Sequence, residues 1–308
     1  MRRAAAFLAL VGMALAPAAA AGGAGASPEV QATMARFRAE AAAALAADVE
    51  ARVAAARQLF GARVPVRVVA DRFVLVGADP RAPFGPAVDL AERALDVYTR
   101  RFFARLPDRA VSVYLTASAA RFDDVCARVS PDDCDAEAGL LGLYDRRARA
   151  VLVDLGPGLP SLTQELVHPL VQTDFVRAPA WLDEGIASLF EKPVFAPPGE
   201  LHGAKNWRYD VLARALATPA LHGPLRPSLL FDLNDDSFLI SDQGAHYALA
   251  RFVCQWLDER GQLWPFYRAW RDSLAEDPSG EKTFARVTGL TPTQADAVWL
   301  AWLRALGK

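Results

Sequence analysis

"SLTQELVHPLVQTDFVRAPAWLDEGIASLFE", from Ser161 to Glu191, decides how this chain is read. Its first half, Ser161–Phe175, is expected to be helical. Gln164 and His168 stand four residues apart, so on a helix their side chains share a face. Glu165 lies beside Gln164 and leans over the same side. A Glu-x-x-His run alone says little, because solvated helix faces carry such runs by chance. The second half changes the odds. "APAWLDEGIASLFE" (178–191) places Pro179 at a helix start and Trp181, Leu182, Ile186 and Leu189 at packing positions. Glu184 then comes from a second helix across from the first.

Two side chains at i and i+4, a carboxylate from a second helix and an open fourth position are what catalytic zinc requires. A glutamate next to the first ligand takes a proton from the metal-bound water. On these residues the segment 165–191 resembles the gluzincin superfamily of zinc metallopeptidases. It is most similar to the bacterial peptidase MA-like proteins and, more distantly, to the zinc aminopeptidases. That family reads His-Glu-x-x-His, followed by Trp-Leu-x-Glu-Gly-x-Ala. "RAVLVDL" (149–155) resembles its active-site edge strand, and "YALARFVCQWLDERGQLWPFYRAW" (247–270) its C-terminal helices.

The resemblance implies an α+β, thermolysin-like fold: a mixed sheet with active-site helices, then a C-terminal helical region. It also implies zinc, with His168 and Glu184 as ligands and Glu165 as general base. Tyr247 falls where relatives stabilise an oxyanion, although a tyrosine packed in a helix is the plainer reading of that residue. Asp183, Ser188 and Glu191 flank the third ligand and could support it. The family's first histidine falls on Gln164.

That departure has a size. A structural zinc site is worth ~10–16 kcal/mol, so one ligand of three accounts for roughly 3–5 kcal/mol, about 10²–10³-fold in affinity. Glutamine offers a neutral amide oxygen and no ring nitrogen. The other histidines are His202, His222 and His246. The first two read as loop residues and the third as lying near a helix start, so none is expected to replace the missing ligand. Two functions follow. One is a zinc-dependent peptidase using Glu165. The other is a pseudopeptidase whose degenerate site has impaired or lost hydrolysis, and whose cleft binds a peptide or protein beside strand 149–155 by strand addition.

The rest of the chain frames this. It has 308 residues, is 53% hydrophobic and 23% charged, and carries a net charge of −2. No Lys/Arg cluster marks a nucleic-acid footprint. Residues 1–26 read as a secretory signal peptide, with Arg2 and Arg3 before an apolar run and small residues at 17–26. The protein is therefore expected to be exported, with no stable membrane span. Export favours a disulfide between Cys126 and Cys134, eight apart in "CARVSPDDC", whereas Cys254 in an apolar run is expected to be a buried thiol. The segments are an N-terminal helix in 27–61, an α/β part over 62–200 and a helical part over 201–308. Strands are expected within 64–77, at 110–116 and, as a pair, within 139–156. Further helices are expected at 87–106, 118–129, 205–218, 243–259, 262–275 and 291–306.

Overall fold

The computed structural model describes residues 27–132, 134, 141–197, 199–218, 225–240 and 243–307. The signal-like segment 1–26 and His222 lie outside them. The chain divides into Met1–Ala42 and Ala43–Lys308. A long helix, α1, spans Pro28–Phe60. In the first unit its residues are mostly exposed and carry an Arg36–Glu40 ion pair at 3.1 Å, one helical turn apart.

The larger unit is α+β. Strands β1 (Val66–Val69), β2 (Phe73–Gly77), β3 (Val111–Thr116), β4 (Gly142–Asp145) and β5 (Ala150–Asp154) form one sheet in the order β1-β2-β3-β5-β4. The three central strands are parallel; β1 and β4 are antiparallel edges. Two-residue periodicity sends alternate side chains to opposite faces. Phe73, Leu75, Val113 and Val153 join the larger core, while Val74, Val76, Tyr114 and Leu152 join the smaller. Because both faces are covered, the central strands are almost continuously apolar.

Helix α2 (Phe84–Val97) covers the larger core's face with Ala87, Ala91, Ala94 and Leu95. It ends in a π-turn, Tyr98–Phe102, rather than continuing to residue 106. Helix α3 (Ala119–Val129) covers the other face, capped by Ser118, whose hydroxyl accepts from the Arg121 N–H. Beside α3 on that face pack Leu45, Val49, Val53 and Phe60 of α1. Asp48 accepts from the Ala110 N–H at 2.8 Å and from Arg149 at 2.7 Å, and Arg52 donates to Ser112 Oγ at 2.9 Å. The Cys126–Cys134 disulfide is present, and Cys254 is a buried free thiol.

The segment 161–175 is two helices, not one: α4 (Pro160–Glu165) and α5 (His168–Asp174). Pro169 has no N–H to donate and its ring crowds the carbonyl of residue 165. The chain tightens there, with the Val167 N–H donating to Gln164 O at 3.0 Å. Helix α6 (Ala180–Leu189) follows, with Pro179 as its N-cap. A hairpin of β6 (Pro193–Ala196) and β7 (Glu200–Gly203) is an addition to the sequence reading. Then come α7 (Arg208–Ala217), α8 (Pro227–Asp232), α9 (Asp235–Ile240), α10 (Gln243–Glu259), α11 (Leu263–Asp272), α12 (Glu281–Thr288) and α13 (Pro292–Leu306). No described helix is long and apolar enough to cross a membrane.

A second correction concerns the sheet edge. Residues 150–154 are fully buried and pair on both sides, with β3 and with β4. The stretch 149–155 is therefore interior, and the edge is β4. Two-sided pairing is what its unbroken Ala-Val-Leu-Val run serves.

Candidate functional site

The arrangement of α4, α5 and α6 follows from a few buried bonds. The Thr163 hydroxyl donates to Phe190 O at 2.7 Å, and its carbonyl accepts from Tyr98 at 3.1 Å. This pins α4 between the π-turn and the end of α6. Helix α6 lies against α10 at unusually short range, because Gly185 has no side chain. A β-carbon there would stand 2.7 Å from Cys254 Sγ and 2.9 Å from Ala250 O. The buried Arg251 of α10 then donates to Ser188 O at 3.1 Å and to Ala204 O, tying the end of α6 to the strand after it. The Ser188 hydroxyl turns back to Glu184 O at 2.6 Å, so its role is within the helix.

These contacts open a cleft of about 570 Å³. Gln164, Glu165, His168, Glu184 and Tyr247, the residues singled out from sequence, all line it. One wall is the β4 edge from Leu141 to Tyr144. His168 Nδ1 is 2.8 Å from Asp183 Oδ1, so Asp183 orients the ring. His168 Nε2 is 3.8 Å from Glu165 Oε2. Gln172 donates to the other Asp183 oxygen at 3.4 Å. Gln164 directs its amide nitrogen to Glu165 Oε1 at 3.4 Å.

Electrostatics here are dominated by burial. Burial pushes the Glu165 carboxyl up to about 7, with His168 opposing and Glu184 and Asp183 reinforcing. Glu184 is raised mainly by the same desolvation. For His168, burial works against the imidazolium, but Asp183, Glu184 and Glu165 outweigh it and hold it well above its ordinary value.

The donor set can be weighed against zinc. His168 has the right backing, with Nδ1 on a carboxylate and Nε2 toward the acidic side chains. Glu184 supplies a carboxylate. The remaining position holds a neutral amide turned to Glu165. Among the described residues, no group of three or more His, Cys, Asp or Glu side chains is placed to hold a metal ion. In the ligand set that the resemblance implies, His168 and Glu184 supply zinc-type donors and Gln164 a neutral amide, one donor short of a tight three-ligand site. The other described histidines do not complete it. His202 pairs with Asp258 at 3.1 Å, and His246 is buried against Phe238; neither lines the cleft.

Sequence reading missed three contributors. Gly142 lets Glu165 lie directly against β4. Trp207 is exposed at the cleft. Arg208 lines it while donating through Nε to Glu191 Oε2 at 3.2 Å. Glu191 also accepts from Asn206 at 2.7 Å and Trp207 Nε1 at 2.8 Å, so it supports that wall rather than the His168 cluster. No pattern around Gly142 or in "NWRYD" (206–210) marked them in the sequence. Comparison of the sequence with protein-family models gives no match, and comparison with curated proteins gives none either.

Proposed function

We propose that this protein is an exported, gluzincin-like pseudopeptidase, a metallopeptidase-type fold that binds peptides in its cleft without metal-dependent hydrolysis. The observation that carries this is Gln164 in the first ligand position, its amide nitrogen directed to Glu165. The ligand class rests on β4. It is a short antiparallel edge forming one rim of the cleft, and among the described residues no strand pairs with its outer side. An extended peptide adding to that edge gains backbone hydrogen bonds that do not depend on sequence, with side chains alternating toward the cleft. Bonding of this kind needs no metal.

One observation favours the rival reading of an active zinc peptidase. Glu165 is buried and raised to about 7, the range in which a carboxylate serves best as a general base near neutral pH. The two readings part in a mixed experiment. Labelled peptides are incubated with the purified protein, with added zinc and with chelator, and both binding and chain cleavage are followed. The proposal expects binding that chelator leaves unchanged, and intact peptide throughout. Cleavage that chelator abolishes, and that Glu165→Gln also abolishes, would establish the zinc peptidase instead.

A further inference from the structure

The cleft wall that Glu191 supports holds one cation, Arg208, whose charge acts to lower the Glu165 and Glu184 carboxyls without a hydrogen bond to either among the described residues. Arg208 opens α7, and its side chain is 14% exposed. Its Nε is used by Glu191. The guanidinium lies 4.5 Å from the Trp207 ring centroid and 6.0 Å from that of Tyr247. The Trp207 ring on one side and the Nε bond to Glu191 on the other hold the guanidinium in place. Among the described residues, Nη1 and Nη2 make no hydrogen bond.

Neutralising Glu191 does not account for this. Glu191 already accepts from Asn206 and from Trp207, and Arg208 contributes one bond through its least versatile nitrogen. The Nη edge is a parallel pair of N–H donors with the spacing of a carboxylate fork. It is also the one positive group among the cleft's described lining apart from His168, which is engaged by Asp183. Glu165, Asp183 and Glu184 make the remainder of the floor unfavourable to an anion. A ligand carboxylate therefore has one place to go.

We propose that Arg208 captures the free C-terminal carboxylate of a peptide lying along β4, with the exposed Trp207 ring covering the terminal residue. The inference rests on the peptide-binding reading and makes it specific: the site reads chain ends rather than internal segments. An acidic side chain presents the same chemistry, so the test separates the two sources.

Fluorescein-labelled random octapeptides are prepared in three forms: free acid, C-terminal amide, and amide ending in glutamate. Their binding to the intact protein is measured by anisotropy, beside Arg208→Lys and Arg208→Met. The free acids are expected to bind about 10–100-fold tighter than the amides, as a bidentate charge-assisted pair implies. Arg208→Met is expected to abolish that difference, and Arg208→Lys to keep part of it. Equal binding of free acids and plain amides to the unmodified protein would overturn the Arg208 role and leave the peptide-binding reading standing. Tight binding of the glutamate-ending amides, equal to the free acids, would overturn it in favour of an acidic side chain. Absence of binding by all three forms would remove the peptide-binding reading and this inference with it. The acid–amide comparison is made on the unmodified protein, so it does not depend on any variant folding.

Discussion

Gly142 and Glu165 are packed so closely that a single carbon separates the observed site from a clash. A β-carbon at Gly142 would stand 2.4 Å from the Glu165 side chain. The edge strand and the central carboxylate of the cleft are thus one packed unit. Glu165 is buried at 5% exposure, so a carbon added at Gly142 presses on a side chain with little free space. Gly142→Ala is expected to lower stability by about 1–3 kcal/mol through overpacking. The Glu165→Ala background should relieve most of that loss. A double-mutant cycle by denaturant unfolding checks this, with a coupling of about 1–2 kcal/mol expected and additivity as the contrary result.

Gly185 makes a similar demand with a different outcome. There the obstruction includes the Ala250 carbonyl, which is backbone. Gly185→Ala is expected to destabilise by about 1–3 kcal/mol, and Cys254→Ala in the same chain should recover only part of it. Thermal unfolding of the three variants gives the comparison. Full recovery would show that only the sulfur crowds the site.

Asp48 ties α1 to the sheet and sets an acid limit. Burial alone would raise its carboxyl, but hydrogen bonds from Arg149, Arg109 and the Ala110 N–H hold it well below the ordinary value of 3.8. A carboxyl depressed in the folded state contributes stability that is complete above its unfolded pKa and is lost as pH falls through the folded one. Unfolding free energy should therefore fall steadily as pH drops below about 4. Asp48→Asn should flatten that slope and cost about 1–2 kcal/mol at neutral pH, by leaving the Ala110 N–H and the Arg149 guanidinium poorly matched. A mutant with an unchanged acid slope would contradict this assignment.

The Cys126–Cys134 bridge joins α3 to the segment that leads toward β4. Closing so short a loop is worth about 2–3 kcal/mol in the chain-entropy account. Reduction, or a Cys126→Ala/Cys134→Ala pair, should lower the unfolding free energy by that amount.

Several residues that line the cleft were legible in the sequence, for local reasons. Gln164, Glu165 and His168 sit within one turn of each other, and the Trp-Leu-Asp-Glu-Gly run supplied Glu184 on the next helix. The structure brings all of them, with Tyr247, into one cleft. Continuous apolar runs such as Phe73–Val76 revealed strands, since burial on both faces leaves a legible pattern. Strand order did not follow, because it depends on which distant segments pair. The unbroken apolar run at 150–154 was itself a sign of a central strand, and the family likeness at 149–155 obscured it. The break before His168 was also visible, in Pro169. Gly142 and Arg208 were not. One matters for the side chain it lacks opposite a distant residue, and the other for a partner seventeen residues upstream.

In the proposed reading, Gln164 denies tight zinc binding to the cleft that His168 and Glu184 line. Its most direct test is zinc content per chain, by elemental analysis after dialysis against equimolar zinc and then buffer, for the unmodified protein and for Gln164→His. The account predicts little retained zinc in the unmodified protein and near-stoichiometric zinc in Gln164→His, an affinity gain of about 10²–10³-fold. Stoichiometric zinc in the unmodified protein, unchanged by the histidine, would contradict it.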